Sequence, residues 1–292
     1  MKDFAYEFPA TIEAAVAAIR ADGARALAGG TDLIPQLREG RRHAGCIVDL
    51  KRVPELTAIS ELAEGGIAIG AAANATSVAR HPAVAATYPA VAQSARLIGS
   101  LQVQNRASLG GNICNAAPSA DAVPALICHQ ATVRIAGPGG QREEDLEAFI
   151  RGPGKTSLMP GELLVSIVLP LPAARSAATY LRFTPRREMD IAIAGVAAWV
   201  RIEAEGAIAE ARIVLASVGP TPIRALSAEQ RLRGERPTHA LLEAAGQLAA
   251  GDARPISDTR GSAGYRRSLI AVLTARALAD CCSALDVELQ QS

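Results

Sequence analysis

The residues of this chain that could do chemistry begin with two pairs of adjacent glycines. The first pair lies between a predicted strand at 24–27 and a predicted helix at about 32–38, in the run Ala28-Gly29-Gly30-Thr31-Asp32-Leu33. Adjacent glycines permit positive φ and let backbone amides approach a ligand closely. Thr31 or Asp32 would cap the helix, whose N-terminus favours an anion such as a pyrophosphate. The alternative is an ordinary glycine turn followed by a capped helix.

The second glycine pair lies among small and polar residues, in the run Ala107-Ser108-Leu109-Gly110-Gly111-Asn112-Ile113. Side chains of this kind could donate hydrogen bonds to phosphate oxygens, and Asp121 could accept them from sugar hydroxyls. Two separate glycine runs suit a long dinucleotide better than a single phosphate group. The competing interpretation is a tight bend that packs on a neighbouring strand.

A charged segment further along the chain could bring a cation to the same ligand. Arg182 opens it, and Arg186, Arg187, Glu188 and Asp190 follow within eight residues. Charge clusters of this kind are more commonly surface salt bridges. Both interpretations remain open from the residues alone.

Other catalytic patterns fail at a required position. Residues 152–156 end like a Walker A loop, but Phe149 stands where the first glycine is required. No GxGxxG run opens a strand–helix–strand unit, and there is no GxSxG or HExxH run. The five cysteines lack CxxC spacing and are odd in number, which indicates free thiols. The histidines are scattered, so the sequence predicts no metal site.

The elements that must position the glycine runs fall into three groups. Residues 4–8, 24–27 and 46–49 are predicted strands that alternate with helices at 11–21 and 32–38, which indicates a small parallel unit. From about 56 to 172, short strands at 66–69, 132–136 and 163–169, with a helix-like stretch at 83–97, indicate a mostly antiparallel lobe. Beyond Pro170-Leu171-Pro172, three apolar strands followed by three amphipathic helices indicate an α+β domain.

Composition excludes several classes of protein. The chain has 292 residues, 30 basic against 29 acidic, and no basic stripe, so nucleic acid is not an expected partner. The most apolar run, 191–200, is shorter than the ~20 residues that span a bilayer. No signal-like apolar segment follows Met1, so we expect a cytoplasmic protein without a membrane span.

Taken in order, these motifs resemble a known family. The two glycine runs, the segment Gly161–Ile167, and Arg187 followed by Asp190-Ile191-Ala192 are similar to the FAD-binding (medium) subunit of the xanthine dehydrogenase and carbon monoxide dehydrogenase molybdenum hydroxylases. The similarity extends over nearly the whole chain. Four motifs in one order are specific where each alone is weak.

The resemblance implies a fold and a set of site residues. It implies an α+β protein with a two-lobed FAD-binding domain of the vanillyl-alcohol-oxidase type at 1–172 (lobes at about 1–55 and 56–172), then a smaller α+β domain at 173–288. Pyrophosphate contacts would come from the two glycine runs. Leu164 and Ile98 would pack near the flavin ring or adenine, Asp121 would contact FAD hydroxyls, and Arg182 would stand near the ring where many relatives carry lysine. FAD would be non-covalent, because Thr31 occupies the place of the histidine that some covalent flavoenzymes carry.

The resemblance also implies partners. Electrons would pass from a molybdenum cofactor on a large subunit, through [2Fe-2S] clusters on a small subunit, to this chain's FAD and then to NAD, a quinone or oxygen. The assembly would be a dimer of heterotrimers, and the isolated chain would not hydroxylate substrate. The alternatives are a stand-alone FAD oxidoreductase acting on a small substrate and a binding or scaffolding protein on a degenerate FAD fold.

Overall fold

The N-terminal part of the computed structural model, which describes residues 2–290, is the predicted parallel unit. Its three strands pair in the order β1-β3-β2, both pairings parallel. Thr11 caps the first helix by accepting a hydrogen bond from the Ala14 amide, as predicted. The elements are β1 (Ala5–Glu7), α1 (Ile12–Ile19), β2 (Ala24–Leu27), α2 (Leu33–Arg38), β3 (Cys46–Asp49), a 3-10 turn (Leu50–Arg52) and α3 (Pro54–Thr57).

The central part is built on a five-stranded antiparallel sheet in the order β4-β5-β10-β6-β7, which confirms the predicted strands and their antiparallel pairing. Six helices follow β5 in the chain before the next strand, β6. The elements are β4 (Ile59–Glu61), β5 (Ile67–Gly70), α4 (Ala75–Arg80), α5 (Pro82–Thr87), α6 (Pro89–Arg96), α7 (Leu101–Gln104), α8 (Leu109–Asn115), α9 (Ala122–Cys128), β6 (Thr132–Gly137), β7 (Gly140–Asp145), α10 (Leu146–Phe149), β8 (Ile150–Gly152), β9 (Lys155–Thr156) and β10 (Leu163–Leu169).

The structure of this central part differs from the sequence predictions in two details. The helix expected at 83–97 is two helices, because Pro89 cannot continue α5 and instead begins α6, while Tyr88 between them leaves the helical region. The second glycine run, where no helix was predicted, contains the start of α8. Ser108 caps that helix, since its Oγ accepts from the Gly111 amide at 3.0 Å.

The C-terminal part is an antiparallel sheet covered by helices, as predicted. Successive residues of β12 point to opposite faces: Ala198 joins the core under the C-terminal helices, whereas Ala197 and Trp199 join the core of the central part. The sheet is therefore buried on both faces. Its elements are β11 (Ser176–Phe183), β12 (Ala194–Ile202), β13 (Ile208–Ala216), β14 (Ile223–Arg224), α11 (Leu226–Leu232), α12 (His239–Asp252) and α13 (Ala263–Ala284).

The cysteines behave as small apolar side chains. Cys281 and Cys282 are buried in α13, as their sequence context predicted, and all five thiols are free. In residues 2–290 no group of three potential metal-ligating side chains is brought together. None of the helices described is both long enough and apolar enough to cross a bilayer.

Candidate cofactor site

The two glycine runs, some 80 positions apart in the sequence, touch each other through their backbones. A Cβ on Gly29 would lie 2.0 Å from the carbonyl oxygen of Arg106 and 2.8 Å from Cα of Ala107. Only glycine permits so close an approach. Gly110 packs equally closely on the loop after β5, since its Cβ would lie 2.4 Å from the oxygen of Ala71. The fold thus requires glycine at both contacts.

A cavity of about 910 Å³ opens along this junction. Its volume is at the upper end of the range for small-molecule and cofactor sites. Every site residue predicted from the sequence lines it except Asp121 and Arg182. The predicted residues that line it are Ala28, Gly29, Gly30, Thr31, Asp32, Leu33, Ile98, Ala107, Ser108, Gly110, Gly111, Asn112 and Leu164.

The first glycine run leaves backbone donors free at the cavity wall. Gly30 has φ +75°, and the first helical hydrogen bond of α2 runs from the Ile34 amide to the Gly30 carbonyl at 3.0 Å. Within residues 2–290, the amides of Gly30, Thr31 and Asp32 donate to no backbone carbonyl. The predicted side-chain cap is absent, because Asp32 holds the N-cap position without making the capping bond. Unpaired amides at a helix start suit an anionic group.

Lys51 supports this loop from behind, and the sequence analysis missed it. Its Nζ donates to the Ala28 carbonyl at 3.0 Å and to Asp49 Oδ1 at 2.6 Å. Burial alone would raise the pKa of Asp49, but hydrogen bonds from Lys51 and Tyr6 lower it below its ordinary value. Asp49 ends β3 next to the end of β2, so the rule that parallel strands meet at their carboxyl ends could have indicated this contact.

A second missed residue, Arg142, holds the opposite wall. It donates to both carboxylate oxygens of Glu162, at 2.9 and 2.8 Å, and to Glu144 at 2.9 Å. Hydrogen bonds to these two carboxylates raise the pKa of Arg142, which keeps it charged. Glu162 and its neighbours Thr156 and Leu158 line the cavity. Arg142 and Glu162 are distant in the sequence, so no local pattern predicts the pair.

The charged side chains that line the cavity are balanced in number. Arg20, Arg25 and Arg42 lie there with three acidic residues, Asp22, Asp32 and Glu162. Loss of water raises the pKa of Asp32, and the charge of Arg42 partly opposes this effect.

Comparison with known proteins decides what such a cavity is for. Residues 2–172 match the family described as the FAD binding domain in molybdopterin dehydrogenase. The chain belongs to that family. Residues 179–281 match the CO dehydrogenase flavoprotein C-terminal domain. The resemblance inferred from the motifs is therefore confirmed, as is the α+β fold class.

Relatives match along nearly their whole length. The putative xanthine dehydrogenase FAD-binding subunit XdhB of Escherichia coli (strain K12) is 34% identical over 99% of this chain and 100% of its own. The carbon monoxide dehydrogenase medium chain of Hydrogenophaga pseudoflava is 32% identical over 94% and 96%. A solved carbon monoxide dehydrogenase from H. pseudoflava, lacking the Mo-pyranopterin moiety, superposes with a TM-score of 0.91 at 31% identity, covering 97% of this chain and 98% of that one. The chain is a FAD-binding oxidoreductase subunit of the xanthine and carbon monoxide dehydrogenase type.

The geometry of the cavity fits FAD. Both glycine runs line the cavity, and the free amides of the first run are donors for a pyrophosphate. The two apolar residues predicted to pack on the rings, Ile98 and Leu164, are both buried and both line the cavity. Their individual contacts with FAD stay predictions.

The structure does not bring Asp121 and Arg182 to this cavity. They form a buried ion pair with each other, and Tyr180 donates to Asp121 Oδ1 at 2.9 Å, so both carboxylate oxygens are already hydrogen-bonded. Burial raises the pKa of Asp121 to about 6, although Arg182 and Tyr180 favour its carboxylate. Each carboxylate oxygen therefore has one protein partner, and the contact of Asp121 with FAD hydroxyls stays a prediction. Arg182 instead lines a second, separate pocket.

Proposed function

We propose that this chain is the electron-transferring flavin carrier of a heteromeric molybdenum hydroxylase. It would receive electrons from the [2Fe-2S] clusters of a small partner subunit and deliver them to NAD, a quinone or oxygen. The molybdenum cofactor would belong to a large partner subunit, in a dimer of heterotrimers. Relatives named as xanthine dehydrogenase FAD-binding subunits and carbon monoxide dehydrogenase medium chains support this assignment.

One structural observation carries the proposal. Two glycine runs from different parts of the fold meet at Gly29 and Arg106, and a cavity long enough to be lined by both follows their junction. A site for one phosphate would need only one of these runs. A dinucleotide needs both, because its diphosphate and its two ring systems extend over a long path.

Bound FAD would supply the redox chemistry, and the chain's own residues would hold and orient it. The amides of residues 30–32 would donate to the pyrophosphate from one side, and Ala107, Ser108 and Gly110–Asn112 would contact it from the other. Ile98 and Leu164 would pack on the rings and exclude water from them. Lys51 would hold the Ala28 side of the cavity in shape, and Arg142 would hold the Glu162 side.

Non-covalent binding is supported by the side chains at the cavity wall. Thr31 follows the first glycine pair, and its hydroxyl is a poor nucleophile without an adjacent base. Cys114 also lines the cavity, but burial raises its pKa to about 12, so it remains a protonated thiol at neutral pH. Denaturing the purified holoprotein and filtering it should therefore release all flavin. Flavin retained on the chain would contradict this part of the proposal.

Two measurements separate the proposal from its rivals. The natively purified complex should contain flavin, iron and molybdenum in three co-eluting subunits, whereas a stand-alone oxidoreductase would elute alone and turn over a small substrate. The isolated chain with FAD should accept electrons from an artificial donor yet hydroxylate nothing. Substantial hydroxylation by the isolated chain would refute the carrier role, and a colourless protein that takes up no FAD would indicate a scaffold.

A further inference from the structure

One arginine of the C-terminal part joins three segments that are far apart in the sequence. Arg266 lies near the start of α13 and is only 4% exposed. Its Nη1 donates to the carbonyl oxygens of Ile193 at 2.8 Å and Ser217 at 3.1 Å, and its Nη2 donates to both carboxylate oxygens of Asp258 at 2.8 Å. Four hydrogen bonds hold the planar guanidinium in one orientation.

The carboxylate of Asp258 keeps this arginine in place. Hydrogen bonds from the amide of Arg260 and from the side chain of Arg266 lower the pKa of Asp258, so it stays ionised at neutral pH. Its side chain is 33% exposed, so the pair costs less to desolvate than a fully buried one. The other end of the guanidinium is then available to bind the backbone of distant segments.

The first of these segments follows β13 and has a strained backbone. Ser217 has φ +62°, which is unfavourable for a residue other than glycine and persists only where the surroundings impose it. Its carbonyl accepts from Arg266, and its amide donates to the Pro118 carbonyl at 2.9 Å. Pro118 follows α8, whose last residue, Asn115, lines the cofactor cavity. Arg266 thus anchors backbone that continues into the cavity wall.

The second segment is the loop between β11 and β12. Arg266 binds the carbonyl of Ile193, at the end of this loop. In the middle of the loop, the Met189 amide donates to the Gly99 carbonyl at 3.3 Å. Gly99 is adjacent to Ile98, which lines the cavity. The same guanidinium therefore holds a second stretch of backbone that reaches the cavity wall.

We propose that Arg266 is a positioning residue through which the C-terminal part of the chain sets the shape of the cofactor cavity, an inference that rests on the proposed function. The residues that line the cavity lie between 19 and 164, so Arg266 acts on them from outside. Without it, the segments around Pro118 and Met189 lose a shared anchor. Asn115 and Ile98 would then occupy a wider range of positions. The competing explanation is a contact that only stabilises the C-terminal part.

FAD titration and hydrogen exchange of the full chain distinguish these explanations. Arg266→Met removes all four hydrogen bonds and keeps a long side chain. We expect it to bind FAD about tenfold more weakly, which corresponds to about 1.4 kcal/mol. In the FAD-free variant, amides at 115–121 and 184–193 should exchange about tenfold faster, because their local opening becomes easier. The visible circular dichroism of bound flavin should also change, since the wall around the ring is less fixed.

Two further variants complete the test. Arg267→Met is the matched control, because Arg267 is the next residue of α13 and is exposed. It should leave FAD affinity, exchange and the flavin spectrum unchanged. Arg266→Lys keeps the charge beside Asp258, but its ammonium lacks the planar fork that spans the carboxylate and two carbonyls. It should therefore recover most of the stability in urea and only part of the FAD affinity.

The coupling claimed here is read from binding and exchange and not from stability. Wild-type FAD affinity and wild-type exchange at 115–121 in Arg266→Met, with only a lower unfolding free energy, would overturn the positioning role. If Arg266→Met does not fold, the same comparison with Arg266→Lys decides in the same way. A wild-type chain that binds no FAD would overturn the proposed function together with this inference, whereas unchanged variants of a FAD-binding chain overturn this inference alone.

Discussion

Replacing Gly29 with alanine tests the contact between the two glycine runs on which the cofactor site depends. The new Cβ would lie 2.0 Å from the Arg106 carbonyl oxygen and 2.6 Å from its carbon. An ordinary carbon–oxygen contact is about 3.3 Å, so the two backbones must separate by about 1 Å. Gly29 does not have positive φ, so the cost is steric and not one of backbone conformation.

The magnitude follows from which atoms must move. Overpacking typically costs about 1–3 kcal/mol, and backbone on both sides of this contact places Gly29→Ala near about 3 kcal/mol. Separation of the runs should also remove at least one charge-assisted hydrogen bond to the pyrophosphate. Since such a bond contributes about 1.5–3 kcal/mol, FAD should bind about ten- to a hundredfold more weakly.

Urea unfolding of the apoprotein and fluorescence titration with FAD measure the two effects separately. Gly251→Ala is the matched control, because that glycine is exposed in α12 with open space around its Cβ position. Alanine there should stabilise the protein by about 0.5–1 kcal/mol and leave FAD affinity unchanged. If Gly29→Ala has the same unfolding free energy and the same FAD affinity as the wild type, the two runs do not meet as described.

Three further substitutions test the walls of the cavity and the buried core. Arg142→Gln should loosen the segment 156–162, lowering the unfolding free energy by about 1 kcal/mol and weakening FAD binding in the same titration. Lys51→Met should free the Ala28 carbonyl and weaken FAD binding several-fold, with little change in the absorption spectrum of the bound flavin. His129→Gln should make stability depend less on pH at acid pH. Burial, and then the charge of Arg212, lowers the pKa of His129 to about 4. The wild type therefore loses up to about 3 kcal/mol of unfolding free energy as pH falls from about 6.5 towards 4.

Each of these predictions has a result that would contradict it. Arg134→Gln removes the exposed ion pair of Arg134 with Glu143, which lies outside the cavity wall. If it changed stability and FAD affinity as much as Arg142→Gln does, Arg142 would have no special role in the wall. Unchanged FAD affinity in Lys51→Met would show that the first glycine run keeps its shape without the hydrogen bond from Lys51 to Ala28. For His129, urea unfolding at pH 7 and pH 5 must differ less in the variant than in the wild type. Asp121 has the opposite effect on stability, because its pKa is raised to about 6 and the folded protein gains stability as pH falls from about 6 to 3.8. The contribution of His129 is therefore read from the difference between the wild type and His129→Gln.

Local sequence signals located most of the elements correctly because their causes are local. The Thr11 cap, the strand at 24–27 and the helix after the first glycine run depend on residues within one turn of each other. The helix at Leu109–Asn115 was missed because glycine disfavours helix formation. It forms where Gly110 packs flat against Ala71, a contact from a distant part of the chain.

The sequence by itself determined the chemistry available to this protein: two glycine runs, their order along the chain and the family whose motifs they share. Only the tertiary structure decided that those runs touch, that Lys51 and Arg142 hold the walls, and that Asp121 pairs with Arg182 and not with the cavity. Backbone contact, ion pairing and burial depend on residues that are far apart in the sequence: Arg142 and Glu162 are 20 positions apart, and Asp121 and Arg182 are 61 apart. Periodicity and local propensity extend over about one helical turn, so they carry no information about such pairs.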